Sequence, residues 1–129
     1  MTTELQYLAM VAVLTGLLWV PYVLNRIAVR GLADTVGYPE NPKPQAAWAR
    51  RLQCAHGNAV ENLAVFAALV LAAQAAGVAG EATAFAAMAY FWARLVHAVA
   101  YTLAWPWVRT LAFAAGFAGQ ATFAWSLLG

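Results

Sequence analysis

Trp48 to Phe66 reads WARRLQCAHGNAVENLAVF, and this stretch decides the fold because it carries arginines, an asparagine and a glutamate straight into an apolar run. On a helix, Arg51, Cys54, Asn58, Glu61 and Val65 follow one another at steps of three or four and share a face, while Leu52, Leu63 and Phe66 point elsewhere. A polar stripe on an otherwise apolar helix has to meet a partner or a ligand.

The chain around that stretch is built for lipid. Of its 129 residues, 64% are apolar and only 9% charged, against about a quarter charged in an ordinary soluble domain; mean hydropathy is +0.67. These values predict an all-α integral membrane protein, one domain with room for about four spans of about 20 residues. The formal charge of +2 is small, and no basic patch for nucleic acid exists. A single cysteine excludes an internal disulfide, so packing must come from helices alone. The N-terminus has no basic region ahead of its apolar run and no small-residue cleavage site, which predicts a retained first span.

Working outward, Leu5 to Leu24 is an almost uncharged run long enough to cross a core of about 30 Å, bent near its end by Pro21. Residues 25–45 hold Arg26, Arg30, Asp34, Glu40, Lys43 and prolines at 39, 42 and 44, and read as a turn-rich polar loop. The second span is expected over 46–77, roughly 48 Å of helix, so that its first turns project into water. A turn at Gly80 leads to the third span, 82–104. Trp105, Pro106 and Trp107 interrupt it, and the fourth span is expected over 108–128. Five of the seven basic residues, Arg26, Arg30, Lys43, Arg50 and Arg51, lie between the first two spans, and Arg109 lies beside the last loop. The positive-inside rule puts both loops in the cytoplasm and both termini on the non-cytoplasmic side. Dense Ala and Gly in spans two to four permits close helix packing, and Trp19, Trp48, Trp105 and Trp107 read as interfacial anchors.

The third span repeats the pattern of the second. Tyr90, Arg94, His97 and Tyr101 fall at steps of four, three and four on one face. Counted from Gly80, Asn58 is 22 residues away and Tyr101 is 21, while Glu61 is 19 and His97 is 17. In an antiparallel hairpin these pairs share a depth. Arg94, about 21 Å from the turn, is inside the slab, where a lone charge costs about 2.5–3.5 kcal/mol, so Glu61 is its expected partner. The two faces thus predict a polar pocket near the cytoplasmic side for an anionic or zwitterionic ligand, against the plainer reading that they fix helix register or an oligomer interface. Two histidines, Cys54 and Glu61 do not form paired ligand sets, so no metal site is expected. Cys54 as nucleophile needs a depressed pKa, for which Arg50 and Arg51 are the nearest help.

RLQCAHGNAVENLAVF, ARLVHAVAY and Arg109 after the break together resemble the MAPEG family, membrane-associated proteins in eicosanoid and glutathione metabolism, in particular its bacterial members. The resemblance spans nearly the whole chain; N-x-x-E (Asn58, Glu61) with R-x-x-H-x-x-x-Y (Arg94, His97, Tyr101) carries it. It implies a four-helix bundle assembled as a homotrimer in a bacterial inner membrane. It further implies a transferase, peroxidase or isomerase that uses glutathione, held between protomers near the cytoplasmic face, in acting on a lipophilic substrate. Asn58, Glu61, Arg94, His97 and Tyr101 would contact glutathione, Glu61 through its amino group; Arg109 would stabilise the thiolate, and Arg30 or Arg26 would meet a carboxylate. The chain departs from the family pattern at Cys54 and Gly57, where glutathione-using members commonly carry arginines; Arg51 or Arg50, reaching a turn further, is the expected substitute. The competing reading is a non-catalytic relative that binds a lipid or other small amphiphile.

Overall fold

The N-terminal apolar run folds as one long helix bent in its middle. In the computed structural model, which describes residues 1–129, α1 spans Thr3–Leu17 and α2 spans Trp19–Val36. The break falls at Leu18, because Pro21 lacks an N–H and its ring collides with the carbonyl four residues earlier, that of Leu17. Thr2 starts α1 by accepting from Leu5 N at 3.3 Å, an N-cap.

Residues 25–30, expected as loop, continue the helix, and residues 32–36 form a further short helical segment beyond a kink at Gly31. The prolines that stop a helix begin only at Pro39, and polar groups of 25–30 bond to the returning chain. Arg26 Nε donates to Gln45 Oε1 at 3.1 Å and Arg30 Nε to Lys43 O at 2.7 Å. Gln45 Nε2 donates to Tyr22 O at 2.7 Å, and Ala46 N to Asn25 Oδ1 at 3.2 Å. Helical dihedrals are broken once, at Gly31.

Three further helices complete the bundle: α3, Ala47–Ala75; α4, Glu81–Thr102; and α5, Pro106–Leu128. With the bent α1–α2 helix they make four helices long and apolar enough to cross a membrane. α3 ends in a Schellman turn, with Val78 N on Ala73 O at 2.9 Å and Gly77 at φ 70°, the left-handed position for which glycine carries no Cβ penalty.

α4 is the central helix, packed most extensively on α5 and also on α1 and α3. The core is aromatic at its middle: Phe66 stacks on Tyr90 with centroids 3.8 Å apart and meets Phe123 edge-on at 5.8 Å, contacts worth about 0.5–1.5 kcal/mol each beyond burial. Small residues bring α4 and α5 together. A Cβ on Gly119 would stand 3.1 Å from Ala86 O, so the backbones approach as lipid-embedded helices do when packing must replace a hydrophobic drive.

Candidate functional site

The site forms where α4 ends and α5 begins. Trp105 N donates to Ala100 O at 2.8 Å and Ala104 N to Tyr101 O at 3.3 Å, a second Schellman turn whose left-handed residue is Ala104, at φ 60°. Pro106 then opens α5 at a position where its missing N–H would have been unpaired in any case. Arg109 follows within the first turn, its N donating to Trp105 O at 2.9 Å. The reversal carries its guanidinium back over α4, with Cζ 5.0 Å from the Tyr101 ring centroid, a cation–π contact.

Beneath this pair is a cleft of about 340 Å³ lined by Asn58, His97, Tyr101, Arg109, Thr110 and Phe113. Asn58 Oδ1 is already occupied: it accepts from Arg94 Nη2 at 2.7 Å and from Asn62 Nδ2 at 3.3 Å. Its amide nitrogen is left for the cleft. His97 packs edge-on to Tyr101, centroids 5.7 Å apart, and its Nδ1 is buried without a partner. An arginine, an amide nitrogen, a phenol and an unpaired imidazole therefore line the cleft with no carboxylate among them. Such a lining suits a ligand that brings negative charge and acceptors.

Arg94 is the support under this floor. It is only 4% exposed, its Nη2 holds Asn58, and its Nε has no partner. The expected Glu61–Arg94 pair is not made within the protomer. The inward face of α3 runs through Ala55, Ala59, Phe66, Val70 and Ala73; Glu61, two residues beyond Ala59, is turned about 200° away by helical geometry and is exposed. Asn58 takes its place opposite Arg94. The rest of the expected stripe, Cys54 and Val65, is exposed with Glu61.

Of the sequence-predicted residues, the structure gathers Asn58, His97, Tyr101 and Arg109 in one cleft and sets Arg94 behind them. Arg51 lies apart, its Nε donating to Thr102 O at 2.9 Å, and Arg30 is tied to the Lys43 carbonyl. Thr110 and Phe113, which the sequence reading missed, also line the cleft. Their signal was their position, one and four residues after Arg109 at the start of α5. Asn62 was missed too: its Nδ2 donates to Asn58 O at 2.9 Å, and its own carbonyl accepts from buried Gln120 at 3.3 Å.

A family model matches residues 8–129 of the chain, and its description is the MAPEG family. No curated protein and no solved structure matches the chain.

Proposed function

The chain belongs to the MAPEG family, its model covering residues 8–129, and from that premise we propose a membrane-embedded, glutathione-dependent transferase or peroxidase acting on a lipophilic electrophile. The observation that carries this reading is the placement of Arg109, one turn into α5, above a cleft where Asn58, His97 and Tyr101 can donate and no carboxylate is present.

The residues present fit glutathione by the chemistry of that donor set. The ligand's carboxylates and thiolate are acceptors, and Arg109, Asn58, Tyr101 and His97 supply the cation and the hydrogens. Its ammonium needs an acid that the protomer's own cleft lacks. Glu61, exposed on the outer face of α3, meets that need if the cleft is completed by a neighbouring copy, and this supports a homotrimer with glutathione between protomers.

Bound there, glutathione supplies a thiol, near 8.5 in water, as the nucleophile. Arg109 holds negative charge at its guanidinium in a site of reduced dielectric, reinforced by the positive end of α5. Tyr101 keeps that guanidinium over the cleft, and Arg94 with Asn62 keeps Asn58 from rotating. Phe113 supplies the apolar side of the cleft. The electrophile arrives laterally from the bilayer.

Calorimetric titration of the detergent-purified protein with glutathione, run beside the ultraviolet absorbance of thiolate and turnover of a generic aromatic electrophile and a lipid hydroperoxide, tests the reading. Saturable binding with thiolate formation and turnover is expected. Binding without turnover of either substrate transfers the protein to the non-catalytic members of the family; no binding overturns the proposal.

A further inference from the structure

A second concavity lies beside the α1–α2 junction at Leu18, on a face of α4 that the cleft does not use. Its walls are Leu17, Leu18 and Pro21 from the bent helix and Val99 and Leu103 from the last turns of α4, with buried Leu52 of α3 beneath, and it encloses about 390 Å³. No residue is shared with the donor-lined cleft, to which α5 contributes three residues and here none. The groove lies at the arginine-rich end of the bundle, where α3 begins and α4 ends.

A cation is fixed beside it. Thr102 lines the groove, and its carbonyl accepts from Arg51 Nε at 2.9 Å, so the guanidinium is anchored against the C-terminus of α4 with both Nη groups unused. Carbonyls at a helix C-terminus favour a cation there, and an arginine held by Nε presents its remaining fork to a phosphate in the geometry that phosphate prefers. Arg50 is adjacent and exposed, and the lining has no carboxylate. An apolar slot with an oriented guanidinium bonded to one of its lining residues is complementary to one kind of molecule.

We propose that this groove binds one acyl chain of an anionic phospholipid whose phosphate is held by Arg51. The proposal does not depend on glutathione chemistry, since it uses the opposite face of α4. It assigns Arg51 a role other than the substitute contact that the departure at Cys54 and Gly57 predicts. A basic pocket between helices near the membrane surface is a physically ordinary place for an anionic headgroup.

The test uses the full chain in neutral detergent, with phosphatidylglycerol, phosphatidylcholine of the same acyl chains, or inorganic phosphate added, followed by thermal melting, by native mass spectrometry of retained lipid and by size exclusion. Phosphatidylglycerol is expected to raise the melting midpoint by on the order of 3 °C, and the other two to leave it unchanged. Arg51→Gln and Val99→Trp, the second filling the slot from its exposed wall, should each abolish the shift and the retained lipid; Leu103→Trp replaces Val99→Trp if that variant does not fold. An equal shift with phosphatidylcholine, or a shift that survives Arg51→Gln and a filled slot, overturns the proposal. So does dissociation of an oligomer by Val99→Trp, which would assign the groove to a second copy of the chain.

Discussion

Arg109 and Cys54 are the two side chains the sequence offers to a thiol reaction, and their surroundings separate them. Arg109 is seated on Tyr101 at the rim of a donor-lined cleft, at the positive end of a helix. Cys54 is exposed on the outer face of α3 and has no base in the cleft to act with. With glutathione saturating, Arg109→Ala should lower turnover by a factor on the order of 10 to 1000, the loss expected for one charge-stabilising group, while Cys54→Ser should change it little. A dead Cys54→Ser beside an active Arg109→Ala would reverse the roles. Glu61 gives a second comparison. Glu61→Gln should weaken glutathione roughly ten- to hundredfold if Glu61 holds the ammonium; unchanged affinity would remove it from the site. The shared depth of Asn58 and Tyr101 was legible by counting residues from Gly80. The direction of Glu61 was not, because three residues on a helix miss a full turn by about 60°, enough to carry a carboxylate out of a narrow interface.

Among the elements, the two Schellman turns form a natural pair. One places Gly77 in the left-handed region and the other places Ala104 there, where a Cβ costs about 1–2 kcal/mol. Ala104→Gly should therefore relieve strain, offset in part by the greater freedom of glycine in the unfolded chain, and raise stability by about 0.5–1 kcal/mol in detergent melts. If that turn does no more than connect two helices, activity will be unaffected. If it fixes how Arg109 lies over Tyr101, turnover will fall while stability rises, and measuring both in one preparation distinguishes the two. The α4–α5 reversal was legible in the sequence because Pro106 between tryptophans marks it; the left-handed alanine was not, since no residue type announces it. The polar stretch after Leu24 misled for a related reason. Its arginines read as solvated loop, but α2 and a segment thirteen to twenty-three residues on bond to each other, with side chains of each donating to carbonyls of the other, and composition carries no information about such a partner.

At the scale of the whole molecule, four helices long and apolar enough to span and membership of the MAPEG family make the chain an integral multi-pass membrane protein. The four spans were legible because about 20 consecutive apolar residues have few other uses. The end of α2, the start of α3 and the connection between them carry Arg26, Arg30, Lys43, Arg50 and Arg51 at one end of the bundle, and we propose that this end is cytoplasmic, with both termini opposite. Topology reporters fused after Pro42 and after Gly129 should report opposite sides, and reporters on the same side would refute the arrangement. That orientation also bears on assembly. Cys54, Glu61 and Val65 run down the outer face of α3 from the arginine-rich end, so a neighbour packed there would bring Glu61 near the level of the donor-lined cleft and would cover a carboxylate that otherwise faces lipid at a cost of about 2.5–3.5 kcal/mol. Three copies around one axis give every cleft such a neighbour with no face left open, as closed symmetry requires. Light scattering corrected for detergent should return three chains of 13.8 kDa, and Val65→Glu, which sets a second acid on the same stripe, should reduce the particle to single chains and abolish glutathione binding together. Monomers that still bind glutathione with full affinity would show that the cleft is complete in one copy and that the ammonium is held by something other than Glu61.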